Sequence, residues 1–126
     1  MSSADNGSVT LDISKNGVAT ITFFHPAQNS LPAALLDELT EKITAAGADA
    51  QTRVIVLKSG GDRTFCAGAS FDELLQIKDK EAGAIFFSGF ARVINACRKS
   101  PKIVIVRVQG KAVGGGVGLA AAADYC

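Results

Sequence analysis

Two short glycine-rich segments carry the residues best suited to chemistry in this chain. One is the triplet 114–116, which follows the β-branched run 103–106 and precedes an Ala-rich segment; the other is 67–70, Ala-Gly-Ala-Ser. Glycine lets a ligand approach the backbone because it has no Cβ atom. The first N–H groups of a helix lack partners and lie at the positive end of its dipole. Both segments are therefore suited to bind an oxygen atom that carries negative charge or gains it during a reaction.

Neither segment matches a nucleotide-binding motif. The triplet is not part of a G-x-G-x-x-G sequence after a first strand, and no Lys-Ser/Thr pair follows it. An alternative interpretation is that the small residues only let a helix pack closely on a strand. For residues 67–71 the corresponding alternative is an ordinary capped helix start. From the residues alone, both alternatives stay open.

The elements that must position these segments follow from local patterns. Alternating apolar residues predict strands over 8–14 and 18–24, joined by a hairpin at Asn16-Gly17. We expect a helix capped by Ser30, with Pro32 in its first turn and Gly47 at its end. The continuous apolar runs predict strands over 53–58 and 103–106 that are buried on both faces.

Three further helices are predicted. Ser70 and Glu73 have the spacing of a capping box, so a short helix begins at about Phe71. The apolar stripe of Phe86, Phe90, Val93 and Cys97 predicts a longer helix over 80–99, and an Ala-rich helix follows the glycine triplet. The order β-β-α-β-α-α-β-α implies parallel pairing with right-handed crossovers. Because ligands bind at the carboxyl ends of such strands, both glycine-rich segments should lie close together on one sheet edge, where two N–H donors can converge on one carbonyl oxygen.

Composition excludes several classes of function. The chain has 126 residues, 48% of them hydrophobic and 20% charged, which suits one globular domain. Its net charge is +1 with scattered Lys and Arg, so we expect neither nucleic acid nor a membrane surface as a partner. Three widely spaced cysteines without a C-x-x-C pair indicate reduced thiols, no metal site and a cytoplasmic location. The N-terminus does not resemble a secretory signal.

Three blocks of sequence, in this order and spacing, resemble the enoyl-CoA hydratase/isomerase (crotonase) family. They cover nearly the whole chain. The blocks are His25-Pro26 with Asn29-Ser30-Leu31, then Phe65-Cys66-Ala67-Gly68-Ala69-Ser70, then Gly110 with Gly114-Gly115-Gly116 and Asp124.

The resemblance implies an α/β fold, the crotonase-like ββα spiral. Since the chain stops directly after an Ala run, we expect residues 1–126 to be the N-terminal part of an acyl-CoA-binding domain, with the fold incomplete at the C-terminus. The substrate would be an acyl-CoA thioester, with coenzyme A part of the substrate and no separate cofactor. The family usually assembles as trimers or pairs of trimers, and we expect a role in fatty acid metabolism.

The resemblance also implies site residues. The two oxyanion donors fall on the backbone N–H groups of Ala69 and Gly115, and a side chain at position 115 would enter the channel. Ala27 and Gln28 would lie near the nucleotide end of coenzyme A. The remaining substrate-binding residues would be Ala67, Gly68, Ser70, Phe71 and Gly114.

The chain departs from the family pattern at the acid/base positions. Many family hydratases have an acidic residue where this chain has Gly118, and Asp where it has Ser70. A second family carboxylate would fall beyond Cys126, so we expect these 126 residues alone to be inactive. We interpret His25 as a turn residue beside Pro26 rather than a general base, because a base must reach the reacting carbon.

Several functions remain open from the sequence. The first is a hydratase or isomerase, that is, a lyase or isomerase that stabilises a thioester enolate. The second, motivated by Gly118, is a CoA-thioester-binding or assembly protein without catalysis. Dehalogenation and decarboxylation also fit, because one scaffold supports several reactions.

Overall fold

A computed structural model describes residues 7–126 of the chain. The described part contains six strands and four helices. The strands are β1 (Ser8–Ile13), β2 (Val18–Phe24), β3 (Val54–Ser59), β4 (Thr64–Cys66), β5 (Ile103–Val106) and β6 (Lys111–Ala112). The helices are α1 (Ala33–Ala48), α2 (Phe71–Leu74), α3 (Lys80–Lys99) and α4 (Gly115–Ala121).

The main sheet has four strands in the order β1-β2-β3-β5. The β1–β2 hairpin is antiparallel and turns at Gly17, whose φ of 87° suits glycine. Strands β2, β3 and β5 are parallel, with Val18 opposite Val54 and Val54 opposite Ile103. The predicted hairpin and the predicted parallel crossovers are both present.

The core lies between one face of this sheet and helices α1 and α3. The sheet contributes buried side chains such as Phe23, Leu57 and Val106. Gly89 brings α3 close to α1, because a Cβ atom at Gly89 would lie 2.9 Å from Leu36 Cδ1. The predicted apolar stripe of α3, comprising Phe86, Phe90, Val93 and Cys97, is buried.

The prediction that β3 and β5 are buried on both faces was wrong for the described residues. Ile103 is 60% exposed, and Val54, Val56 and Ile105 are only half-buried. A run of β-branched residues reports strand propensity, whereas the burial of a face depends on whether another layer covers it.

Two very short strands were not predicted. β4 and β6 pair in parallel as a separate sheet, with Thr64 opposite Lys111. Gly110 permits this pairing, because a Cβ atom there would overlap the carbonyl oxygen of Arg63. The two glycine-rich segments therefore follow β4 and β6 rather than β3 and β5 directly.

The ends of α1 also differ from the prediction. Pro32, not Ser30, is the N-cap residue, and the helix has no side-chain cap from it. Gly47 is buried inside the last turn, where a Cβ atom would lie 3.2 Å from Pro101 Cδ. Gly47 thus provides close packing against the residues that precede β5 instead of ending the helix. No helix within residues 7–126 has the length and apolar character needed to cross a membrane.

Candidate active site

The first glycine-rich turn connects β4 to α2 and is held by Leu31. Gly68 has φ of 93°, a conformation that side chains disfavour. The N–H of Leu31 donates to the Gly68 carbonyl at 2.8 Å, and the N–H of Ser70 donates to the Leu31 carbonyl at 3.2 Å. These two bonds form a parallel bridge around Ala69 that leaves the Ala69 N–H pointing away from Leu31.

The second turn connects β6 to α4 and packs directly on β4. Gly114 has φ of 57° and ψ of −126°, which only glycine adopts readily. The N–H of Val113 donates to the Cys66 carbonyl at 3.0 Å. A Cβ atom at Gly116 would overlap that same carbonyl oxygen. The first turn of α4 can therefore approach β4 only because residue 116 is glycine.

The two turns touch each other through their backbones. A Cβ atom at Gly68 would lie 3.4 Å from the Gly115 nitrogen and 3.1 Å from the Val113 carbonyl oxygen. Within residues 7–126, no hydrogen bond from the N–H of Ala69 or of Gly115 is found. The two turns therefore lie close together, as predicted, but at the ends of β4 and β6. That the two N–H groups converge on one oxygen stays a prediction.

The α carbon of Gly115 faces the core rather than the channel. A Cβ atom at this position would lie 2.5 Å from Phe90 Cε1 on α3. The expectation that a side chain at position 115 enters the channel was therefore wrong. The sequence did not reveal this, because the partner ring lies on a helix that the triplet alone cannot place.

Five of the predicted substrate-binding residues and the predicted donor Ala69 share one cavity of about 290 Å³. Ala69 lies in its wall, so the cavity reaches the first turn. The lining comprises His25, Ala27, Gln28, Ser30, Ala67, Ala69, Ser70, Phe71 and Asp72. Gly68 lies behind this wall in contact with the second turn, and Gly114 and Gly115 belong to that second turn.

Asn29 joins the His25-Pro26 turn to the loop before β4. Its backbone is left-handed, with φ of 57°, and its side chain is buried. Its Nδ2 donates to the Gly60 carbonyl at 2.9 Å and to the Thr64 carbonyl at 2.8 Å, while its Oδ1 accepts from the His25 N–H. In the sequence, Asn29 carries only part of the family resemblance, and no role of its own was predicted for it.

Gln109 supports the same loop from the other side. Its Nε2 donates to Ser59 Oγ at 2.9 Å and to the Thr64 carbonyl at 3.3 Å. Amides from two sequence blocks therefore converge on the Thr64 carbonyl at the start of β4. In the sequence, the available signals were an Asn shortly after His25-Pro26 and a Gln before Gly110.

His25, Glu73 and Asp124 each accept a hydrogen bond from a backbone N–H group. His25 Nδ1 accepts from the Ala27 N–H at 3.0 Å, in agreement with its interpretation as a turn residue. Glu73 Oε1 accepts from the Ala33 N–H at 2.8 Å, and Asp124 Oδ2 accepts from the Val104 N–H at 2.7 Å. At Gly118, a Cβ atom would lie 3.2 Å from Ile94 Cδ1, at the flexible end of that side chain.

The two buried thiols are poor nucleophiles. Burial raises the pKa of Cys66 to about 11, partly offset by the Gly68 N–H that donates to its sulfur at 3.4 Å. Burial also raises the pKa of Cys97 to about 11, and the negative charge of Asp124 adds to the effect. Since the thiolate is the reactive form, Cys66 has a packing role beside the first turn. Among residues 7–126, no cluster of His, Cys, Asp and Glu is suited to hold a metal ion.

Residues 13–126 match the family model described as enoyl-CoA hydratase/isomerase, so the chain belongs to that family. Human enoyl-CoA hydratase domain-containing protein 2 is 34% identical over 86% of this chain and 37% of its own length. Rat methylglutaconyl-CoA hydratase is 36% identical over 77% of this chain and 30% of its own length.

A solved enoyl-CoA hydratase from Mycobacterium smegmatis has the same fold. The two structures superpose with a TM-score of 0.86 at 32% sequence identity. The match covers 92% of this chain and 45% of the solved chain. The fold is therefore the crotonase fold, as the resemblance implied. The chain spans less than half the length of these relatives.

Proposed function

We propose that this chain supplies the oxyanion-stabilising part of an acyl-CoA site in an enzyme of the enoyl-CoA hydratase/isomerase type. The backbone N–H groups of Ala69 and Gly115 donate hydrogen bonds to the thioester carbonyl oxygen. The observation that supports this proposal is the close approach of the two turns, since a Cβ atom at Gly68, the residue before Ala69, would lie 3.4 Å from the Gly115 nitrogen. Neither N–H group has a protein partner among residues 7–126.

The physical basis is charge that develops during the reaction. Removing a proton next to the carbonyl, or adding water across a conjugated double bond, moves negative charge onto the thioester oxygen. Donors already aimed at that oxygen stabilise the charge without reorganising, and loss of one such donor costs about 3 kcal/mol. The α4 helix adds its positive dipole end, at Gly115.

The cavity beside the first turn is the proposed path for the acyl-CoA. Ala67, Ser70 and Phe71 would contact the pantetheine arm, and Ala27 with Gln28 would lie towards the nucleotide. No cofactor apart from the coenzyme A of the substrate is proposed. A trimeric or hexameric assembly and a cytoplasmic location remain predictions, as does the assignment of residues 1–126 to the N-terminal part of one domain.

A second candidate function rests on Gly118. The position that carries an acid in many family hydratases has no side chain here, so α4 supplies no proton carrier. Binding of a CoA thioester without hydration is therefore the alternative, as are decarboxylation and dehalogenation, which place different demands on that position. Turnover of crotonyl-CoA by the full-length protein would favour the first candidate, and tight binding without turnover would favour the second.

The donor assignment can be tested with Ala69→Pro, which removes one donor outright. We expect turnover of crotonyl-CoA by the full-length protein to fall ~10²–10³-fold. The ¹³C resonance of carbonyl-labelled crotonyl-CoA should also move less on binding, because the carbonyl is less polarised. This spectroscopic measurement separates loss of the donor from loss of binding.

Lys80→Pro is the matched control. Lys80 is exposed, is the first residue of α3 and follows the extended Asp79, so proline fits there and removes an N–H that needs no partner. We expect it to leave turnover unchanged. If Ala69→Pro retains the wild-type fold, carbonyl shift and turnover, Ala69 is not an oxyanion donor and the proposal fails.

A further inference from the structure

Helix α2, which directly follows the first glycine-rich turn, is not held by hydrophobic packing. None of its four residues, Phe71–Leu74, is buried, and the first of them is 66% exposed. Leu75, the next residue, is 68% exposed. Since apolar burial normally anchors a helix to its domain, α2 must be anchored by polar contacts.

The contact that joins α2 to the rest of the fold is made by Glu73. Its Oε1 accepts the N–H of Ala33 at 2.8 Å, across 40 residues of sequence. Ala33 is the first residue of the 16-residue helix α1, whose N-cap Pro32 provides no side-chain cap. A carboxylate at a helix N-terminus is stabilised by both the orphan donor and the helix dipole.

Glu73 therefore does not complete the local capping box that its spacing suggested. Within α2, only one half of that box forms, because the Ser70 hydroxyl accepts from the Glu73 N–H at 3.4 Å. The Glu73 carboxylate is directed to α1 instead. Two hydrogen bonds therefore hold the first turn of α2. One is the local bond to the Ser70 hydroxyl, and the other joins the Glu73 carboxylate to the start of α1.

Three hydrogen bonds now connect residues 31–33 to residues 68–73. Two are the backbone bonds that surround Ala69, and the third is the bond from Ala33 to Glu73. We infer that Glu73 is a positioning residue, which fixes the direction of the Ala69 N–H through α2 without touching the substrate. This inference rests on the proposed role of Ala69 as an oxyanion donor.

The expected kinetic signature follows from the developing charge. A hydrogen bond to the thioester oxygen strengthens as charge appears, so a misdirected donor affects the transition state more than the bound substrate. Because displacements of about 1 Å in a catalytic group can cost ~10²-fold, we expect Glu73→Ala to lower kcat by ~10-fold or more. The KM for crotonyl-CoA should change much less.

The test compares Glu73→Ala with Glu73→Gln in the full-length protein. Gln keeps an oxygen that can accept from Ala33 but cannot carry a proton in catalysis. We expect it to retain most of the activity that Ala loses. Amide hydrogen exchange at Leu31 and Ser70 should quicken in Glu73→Ala and not in Glu73→Gln, while exchange in the β1–β2 hairpin stays unchanged.

Glu81→Ala serves as the control for loss of an exposed acid. Glu81 lies in the first turn of α3 and is exposed. We expect it to leave both kcat and exchange at Ser70 unchanged. If Glu81→Ala lowers kcat and quickens exchange at Ser70 as much as Glu73→Ala does, the loss of surface charge, not of the bond to Ala33, explains both effects, and the inference fails.

Two further outcomes overturn the inference. If Glu73→Gln is as inactive as Glu73→Ala, the carboxylate acts by charge or proton transfer rather than by positioning. If Glu73→Ala leaves kcat unchanged, Glu73 does not position the donor. Ala69→Pro then decides the wider question: its inactivity would preserve the oxyanion assignment, whereas full activity would overturn that assignment as well.

Discussion

The ring of Phe90 lies directly against the α carbon of Gly115, so that a Cβ atom there would come within 2.5 Å of Phe90 Cε1. The second proposed donor is therefore placed by core packing between α4 and α3. A flexible glycine turn would not fix an N–H direction by itself. Contact with the buried Phe90 ring restricts the Gly115 backbone, because protein interiors are densely packed and resist small displacements.

Gly115→Ala should destabilise the fold by ~1–3 kcal/mol, because the added methyl overpacks the contact with Phe90. Phe90→Leu should relieve the overlap, so that the double variant loses less stability than the two single variants together. Urea unfolding of the two single variants and the double variant measures these changes in unfolding free energy. Strict additivity would contradict the contact.

Gly83→Ala provides the matched helical control for this prediction. A Cβ atom at Gly83 would lie 3.5 Å from Ile77 Cγ2, an ordinary contact. Alanine in a helix is favoured over glycine by up to ~1 kcal/mol, so we expect this variant to be neutral or slightly more stable.

Asn29→Gly should cost about 2–3 kcal/mol in unfolding free energy, because two carbonyls lose a buried donor while the left-handed backbone is retained. Asn29→Ala should cost roughly 1 kcal/mol more, since alanine is strained at positive φ. The difference between the two variants isolates the backbone contribution. Equal stabilities would show that the backbone conformation changes in one of them.

Gln28→Gly is the control for the neighbouring left-handed residue. Gln28 is exposed and has φ of 59°, and its Oε1 accepts only from Thr64 Oγ1. Loss of this bond and relief of the backbone strain oppose each other, so we expect a change within about 1 kcal/mol.

Thiol labelling at pH 8 should modify Cys126 first, because it is exposed, whereas Cys66 and Cys97 are buried. Their raised pKa values of about 11 leave almost no thiolate at that pH. Mass spectrometry of the folded protein measures the order. Rapid labelling of Cys66 that an acyl-CoA prevents would assign that thiol a role in the site.

The same thiols make stability fall at alkaline pH. The pKa of each thiol is higher in the folded state than its ordinary value of 9.0, so unfolding releases protons as the pH passes that value. Their contribution to stability is fully present below pH 9 and is lost as the pH rises through about 11. Cys66→Ala should reduce this decline, which urea titrations at pH 8 and pH 10.5 would measure.

Much of the fold could be predicted because its signals are local. Asn16-Gly17 between alternating runs predicts the β1–β2 hairpin, and the stripe that ends at Cys97 predicts α3 with its observed bounds. β4 and β6 have three and two residues, too few for any periodicity. They exist because Gly110 lets their backbones pair.

In the candidate site, too, some features could be predicted from the sequence and others could not. The sequence could predict that the two glycine-rich turns lie close together, because each follows a strand, but it could not predict that the short strands β4 and β6 bring them together. The bond from Ala33 to Glu73 could not be predicted, because the Ser70–Glu73 spacing favours a local capping box over a partner 40 residues away. The contact between Phe90 and Gly115 could not be predicted either, because it depends on how α3 packs against α4.

The bridge between Leu31 and Ala69 has a consequence for the order of folding. The hairpin of β1 and β2 forms from neighbours in sequence, whereas this bridge closes a loop that contains α1 and β3. Contacts that close long loops cost entropy before they are rewarded, so they tend to form late. We therefore expect a newly made chain to form its hairpin before this bridge, so that the backbone direction at Ala69 is among the last features to be fixed.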